Sequence, residues 1–237
     1  MKVLTVIPAR IGSTRFPRKP LAPILGKPMI RWVVEGALKS ELSEVVVATD
    51  SREICEAIDD LVSCEITPSD FPSGTDRVAF VASKFPHEII VNLQGDEPLI
   101  DGKIIDELVN EMDDETDIVT PVKEVKREEV ESPGAVCVVT DRNGYALYFS
   151  RSIIPFYRER MEEKYLKHIG IYVFWRKSLL KFVSLPQGRL ERIEKLEQLR
   201  ALENGMNIKV VRVNYESIPV DYPEDIEKIE RILKSSR

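Results

Sequence analysis

Through the first half of the chain, short apolar runs alternate with segments of helical spacing, and no other feature narrows the fold as much. VLTVIP (3–8) ends at a proline, and PMIRWVVEGALKS (28–40) has helical spacing, with Pro28 suited to a first turn. EVVVATD (44–50) reads as a second buried strand and leads into the polar helix SREICEAIDD. VSCEIT, the helix GTDRVAFVASKF and the strand EIIVNLQ (88–94) continue the pattern. Strands apolar throughout and separated by helices predict an α/β fold, with a mostly parallel central sheet and helices on both faces. In such sheets ligands bind beyond the carboxyl ends of the strands.

Beyond residue 115 the pattern changes. AVCVVTDRNGYALYFSR (135–151) holds two β-rich runs joined by Asn143-Gly144, a dipeptide that favours a tight hairpin. HIGIYVFW (168–175) is a further strand. RLERIEKLEQLRALENG (189–205) reads as one helix, with Leu190, Ile193, Leu196 and Leu199 along one side and Gly205 as its stop. NIKVVRVN gives a strand and PEDIEKIERILKSS a closing amphipathic helix. No linker or composition break interrupts the chain, so residues 1–237 read as a single α/β domain with a hairpin-rich insertion.

Composition sets outer limits. At 237 residues and 43% hydrophobic, the chain can bury a full core. A net charge of -6 argues against general nucleic-acid binding, which needs a broad basic face. The segment KVLTVIP, ahead of Pro8 and Arg10, is too short for a signal peptide core or a membrane span, which predicts a cytoplasmic protein. Three cysteines without CxxC spacing, Cys55, Cys64 and Cys137, read as reduced structural thiols. Scarce Asn and Gln beside abundant Lys, Glu and Arg suit a heat-adapted source.

Against that acidic background, IPARIGSTRFPRKP (7–20) collects Arg10, Arg15, Arg18 and Lys19 with no acid among them, directly after the first strand. Arginines can fork onto phosphate oxygens and a lysine supplies a mobile point charge. Neither GxxxxGK[ST] nor GxGxxG is present, so side chains and not glycine amides would hold a polyphosphate. The fourth strand runs into QGDEP (94–98), where Asp96 could hold Mg²⁺ or, equally, cap the next helix. Asp221, in VDYPED (220–225), reads locally more as the start of a helix than as a metal ligand. SGTDR (73–77) fits a capping box and also a helix N-terminus open to a polar ligand group. A lone strand histidine such as His168 is ordinarily structural.

Taken in order, these stretches resemble the 3-deoxy-manno-octulosonate (Kdo) cytidylyltransferases over nearly the whole chain. The matching segments are IPAR-x-x-STR-x-P-x-KPL (7–21), GKPMI (26–30), VVVATD (45–50), SGTDR (73–77), VNLQGDEP (91–98), GYALYFSR-x-x-IP (144–155), KHIGIY (167–172), LEQLR (196–200) and VD-x-PED (220–225). The resemblance implies a Rossmann-like nucleotidyltransferase fold, usually a homodimer. The reaction implied is CTP plus Kdo giving CMP-Kdo and pyrophosphate, with one or two Mg²⁺ ions, for lipopolysaccharide synthesis. By position, Ala9, Arg10, Ser13, Arg15, Lys19, Gly74, Thr75 and Arg77 would serve the nucleotide. Lys19, Arg15, Asp96 and Asp221 would carry the chemistry, the two aspartates as metal ligands. Gln94, Arg151, His168, Tyr172, Glu197 and Gln198 would line the sugar site, so the resemblance reverses the local readings of Asp221 and His168. About 135–190 would be the sugar-binding and dimerisation region. Two departures stand out: Arg18 where the family commonly has glycine, and Cys137 where it commonly has lysine. The sialic acid cytidylyltransferases share an arginine- and serine-containing first loop, but their loop typically has a lysine-asparagine pair where this chain has Lys19-Pro20, and they lack the QGDEP form. A nucleotide-binding regulator without catalysis would be built on the same fold.

Overall fold

The computed structural model describes residues 2–12, 16–132, 134–159, 161–215 and 217–235. Backbone contacts group the chain into two compact units, Met1–Glu107 with Glu216–Arg237, and Leu108–Tyr215.

The first unit begins with β1 (Val3–Ala9), a 3₁₀ turn (Lys19–Leu21) and the short ribbon of β2 (Pro23–Ile24) and β3 (Lys27–Pro28). It continues through α1 (Met29–Ala37), β4 (Ser43–Thr49), α2 (Arg52–Glu56), β5 (Ser63–Ile66), α3 (Gly74–Ala82), β6 (Ile89–Leu93) and the greater part of α4 (Gly102–Asn110). The strands pair in parallel in the order β5-β4-β1-β6. Burial explains the composition of the inner strands: every residue of β6, and all of β1 but Pro8, is shielded from solvent. The expected parallel α/β sheet is therefore present, with β1 at its centre.

The second unit holds β7 (Ile118–Val125), α5 (Arg127–Val130), β8 (Cys137–Thr140), β9 (Ala146–Ser150), β10 (Tyr165–His168) and β11 (Ile171–Trp175). The helices α6 (Arg176–Ser184), α7 (Arg189–Glu194) and α8 (Gln198–Glu203) follow, then β12 (Ile208–Arg212). β7 is its hub: β11 and β10 pair antiparallel with successive stretches of it, and β12 pairs with it in parallel. β8 and β9 form the hairpin that Asn143-Gly144 announces, closed by Asp141, whose Oδ1 accepts the N–H groups of Asn143 and Tyr145. The region 135–190 lies within this unit. The chain then returns to the first unit and ends in α9 (Asp225–Ser235), whose Ile229 is buried beside Ile24, Met29, Ile218 and Val220.

Two expectations need correction. The helix read over 189–205 is two helices, because Lys195 turns into the left-handed region at φ 57° and its N–H closes α7 onto Glu191 O. Leu196 and Leu199 are buried, whereas Ile193, meant to share their stripe, is 63% exposed. The cysteines are not all thiols: Cys55 of α2 and Cys64 of β5 form a disulfide. After α2 the chain turns at once onto the sheet edge, bringing together residues only nine positions apart, which no motif advertised. Cys137 remains a buried thiol, its pKa pushed up by burial. No helix among the described residues is long and apolar enough to cross a membrane.

Candidate active site

In the first unit, a cleft of about 380 Å³ opens past the carboxyl ends of β1 and β6, where the parallel sheet predicts a ligand. β1 and β6 are neighbours, and their continuations press together. A side chain at position 95 would meet Pro8 O at 2.9 Å, so Gly95 is what allows the approach. One turn further on, a side chain on Gly36 of α1 would lie 2.3 Å from Ile100 O. The stretch from Gly95 to Ile100, which carries Asp96, is thus seated on backbone at both ends.

Lys19 organises the floor of this cleft. Its Nζ donates to Asp96 Oδ2 at 2.6 Å and to Val220 O at 2.8 Å. The Val220 N–H in turn donates to Asp96 O at 3.0 Å, which brings the chain next to Asp221 onto the same edge. Of the two alternatives open for Asp96, the cap is excluded, because the next helix, α4, begins only at Gly102. Asp96 engages Lys19, while Asp225 builds the turn before α9, its Oδ2 accepting the N–H groups of Asp221 and Tyr222. Glu97, beside Asp96, points into the protein, where it is 3% exposed and accepts the Ser217 hydroxyl at 2.6 Å.

Ala9, Arg10, Gly74, Arg77 and Gln94 also line the cleft. Ser73 caps α3 as SGTDR predicts, its Oγ accepting Asp76 N–H at 3.2 Å, so the helix N-terminus faces the cleft at Gly74. Thr75 sits behind it, 5% exposed, its hydroxyl accepting from Asn92 of β6 at 3.2 Å. Ser13 and Arg15 lie outside the described residues. Arg18 turns away from the cleft to pair with Glu53 on α2, which raises the Arg18 pKa and lowers that of Glu53.

Among the described cations of the set Arg77 is the most buried, at 4% exposure. Burial pulls its guanidinium below the ordinary arginine value; Asp50 opposes that pull and Arg10 adds to it. Asp50, at the end of β4, faces Arg77 at 3.6 Å and also accepts the Ile11 N–H of the cationic loop at 3.0 Å. The sequence reading passed over Asp50. The criterion that singled out Asp96, an acid just past the end of a parallel strand, applied equally to VVVATD.

Hard oxygen donors are what Mg²⁺ prefers, and it commonly takes only one or two carboxylates, with phosphate and water completing its shell. Among the described residues no group of three or more His, Cys, Asp or Glu could enclose a metal by itself. Asp96 lines the cleft, and Asp221 directly follows Val220, which is bonded to both Lys19 and Asp96; two such carboxylates suit an ion completed by substrate phosphates, so the donor chemistry fits.

The second unit gathers four of the residues assigned to the sugar. His168 closes β10 and packs at a tilt, with ring centroids 5.4 Å apart, against Tyr172 of β11, whose hydroxyl donates to Gln198 Oε1 at 3.2 Å. Glu197 precedes Gln198 at the start of α8; burial raises the Tyr172 pKa and the Glu197 charge adds to it. Burial likewise pushes His168 down to about 3, so its ring is neutral near pH 7. Gln198 Nε2 is buried without a hydrogen-bond partner among the described residues. Such a donor in a polar niche calls for a ligand or a water. Arg151 is engaged otherwise: its Nε donates to Glu194 O at 2.8 Å and an Nη to Lys195 O at 3.3 Å, closing the end of α7. Burial favours a neutral Glu194, but the Arg151 N–H, Ser150 and Tyr148 outweigh it and hold the carboxyl below its ordinary value. Gln94 belongs to the first unit, where its amide donates to Asn92 Oδ1 at 3.2 Å.

Comparison with known proteins places these arrangements in context. The sequence model of the family described as Cytidylyltransferase matches residues 4–208. The 3-deoxy-manno-octulosonate cytidylyltransferase of Solibacter usitatus is 48% identical, the alignment covering 99% of this chain and 96% of the relative. That of Thermodesulfovibrio yellowstonii is 47% identical, with 99% of both covered. A solved structure of CMP:2-keto-3-deoxy-manno-octonic acid synthetase complexed with CTP superposes with a TM-score of 0.95, at 39% identity and with both chains covered in full.

Proposed function

The chain belongs to the 3-deoxy-manno-octulosonate cytidylyltransferase family, and from that premise we propose that it transfers CMP from CTP to the 2-hydroxyl of Kdo, supplying CMP-Kdo for lipopolysaccharide synthesis. The observation that carries the reading is the Lys19 ammonium, hydrogen-bonded to Asp96 and Val220 in a cleft that Arg10 and Arg77 also line.

The cleft takes the triphosphate. Arg10 and Lys19 neutralise its oxygens, with Ser13 and Arg15 of the same loop assigned there by resemblance. Ala9, Gly74 and Arg77 serve the rest of the nucleotide, with Thr75, behind Gly74, assigned there by resemblance. The Kdo hydroxyl oxygen attacks the α-phosphorus in line; the new C–O–P bond forms as the bond to the β-phosphate oxygen breaks, and the hydroxyl proton is lost. Pyrophosphate leaves with the electron pair. Positioning and charge neutralisation supply most of the acceleration in such transfers. Lys19 meets the charge growing on pyrophosphate, and its bond to Asp96 keeps the ammonium aimed. Asp96 and Asp221 would hold Mg²⁺, which when bound supplies further neutralisation of phosphate oxygens. His168, Tyr172, Glu197 and Gln198 receive the sugar acid, with Gln94 and Arg151 assigned to the same substrate by resemblance. The protein works in the cytoplasm as a homodimer, with the 135–190 region as its contact surface.

The deciding experiment measures pyrophosphate release from CTP and Mg²⁺ with and without Kdo. Kdo-dependent release supports the reading. Release only with another 2-keto sugar acid refutes the substrate, and CTP binding without release from any of them refutes the enzyme. Sedimentation at micromolar concentration tests the dimer; a monomer there refutes it.

A further inference from the structure

Thr120, in the middle of β7, has one hydroxyl proton and three polar neighbours. Its Oγ1 lies 2.8 Å from Ile171 O and 3.4 Å from Ile169 O, and a carbonyl oxygen can only accept. The proton is therefore committed to those carbonyls. The third neighbour is His168 Nε2 at 2.9 Å. With its proton directed elsewhere, Thr120 meets that nitrogen with a lone pair, so Nε2 must carry the hydrogen. A neutral imidazole has a single N–H, which leaves Nδ1 as an acceptor. Among the described residues Nδ1 has no partner.

The ring also packs edge-on with Phe149 at 5.1 Å and at a tilt against Tyr172 at 5.4 Å. Tyr172 directs its hydroxyl to Gln198 Oε1 and leaves the buried Gln198 Nε2 unpartnered. One cluster of side chains thus offers an open acceptor on His168 and an open donor on Gln198, the complement of an alcohol, which both donates and accepts. Burial keeps the ring uncharged, as an acceptor requires.

We infer that Thr120 is a positioning residue: it holds His168 as the Nε2–H tautomer, so that Nδ1 accepts a hydrogen bond from a hydroxyl of the sugar-acid substrate. The inference rests on the proposed function for the identity of that hydroxyl, and on hydrogen-bond geometry alone for the tautomer.

The chain has two histidines, so ¹⁵N-histidine labelling gives a readable spectrum, with His168→Gln assigning the signals. In the substrate-free wild type, His168 Nε2 should show a bonded proton and Nδ1 none. Thr120→Val removes the acceptor at nearly constant shape. It should move the ring toward the Nδ1–H tautomer and raise KM for Kdo about tenfold, the worth of one neutral hydrogen bond, with KM for CTP unchanged. Thr120→Ser should restore both. A protonated Nδ1 in the wild type overturns the inference without needing any variant to fold. A Thr120→Val enzyme with a shifted tautomer and unchanged KM for Kdo overturns the substrate contact. The tautomer is read without substrate, so a wild type that shows it yet consumes no sugar acid refutes the functional reading and leaves the role of Thr120 in the ring standing.

Discussion

Asp50→Asn isolates a single charge behind Arg77, a residue that lines the nucleotide cleft. The amide keeps an oxygen for the Ile11 N–H, so the variant removes only the ion pair with Arg77. Those groups are 3.6 Å apart, and their side chains are 10% and 4% exposed. At an effective dielectric constant of about 20, Coulomb attraction at that distance is about 4–5 kcal/mol. Breaking a buried pair by neutralising one partner typically costs about 3–5 kcal/mol, because the surviving charge is left without compensation. At about 2–4 °C per kcal/mol for a chain of this size, the melting point should fall by about 10 °C. A bound nucleotide brings negative charge into the cleft that Arg77 lines, so saturating CTP should stabilise Asp50→Asn more than it stabilises the wild type. Thermal unfolding with and without CTP reads both effects. Equal melting points for the two apo proteins would refute the argument that Asp50 compensates Arg77. A lowered melting point with identical CTP increments would refute the claim that nucleotide and Asp50 act on the same cation.

Asp96→Asn should abolish nearly all turnover while melting close to the wild type; wild-type activity would remove Asp96 from the mechanism. Lys19→Ala should lower kcat and kcat/KM together, as loss of a leaving-group contact does, and a rise in KM alone would mark Lys19 as a uniform binder. Replacing Cys55 and Cys64 with Ser opens a short loop and should cost about 2–3 kcal/mol; free-thiol titration of the unfolded wild type checks the bond itself, three thiols contradicting it. The unfolded chain protonates His168 below its ordinary value of 6.5 and the folded chain only near 3. Its contribution to stability is therefore complete above about pH 6.5 and lost as pH falls toward 3, at no more than about 1.4 kcal/mol per pH unit. Urea midpoints of wild type and His168→Gln should diverge in that window, and parallel curves would contradict the sign.

What the sequence made legible was whatever periodicity and strand ends encode. Continuous apolar runs such as IIVNL announced the parallel strands, and looking just past them found Arg10, Lys19 and Asp96 in the cleft. Residues acting through long-range partners were harder to read. Lys19 and Val220 are 201 positions apart, and nothing local about Asp221 told ligand from helix starter. Asp50 and Thr120 were missed because their roles lie in what they hold: an N–H and a guanidinium for one, an imidazole for the other. The helix over 189–205 failed because one left-handed residue, Lys195, breaks a stripe that heptad-like spacing cannot reveal. The disulfide failed for a similar reason: a spacing of nine says nothing about a chain that reverses at a sheet edge.

The two glycine contacts at Gly36 and Gly95 carry a consequence for brine. Ion pairs such as Lys19–Asp96 and Arg77–Asp50 depend on fields that dissolved ions screen, the more so where water reaches them. Contact between bare backbones does not. The segment bearing Asp96 is seated by the second kind of force, with Pro8 O against Gly95 at one end and Ile100 O against Gly36 at the other. Molar salt should therefore slacken the grip on phosphate while the carboxylate keeps its place, and the enzyme should recover at once on dilution.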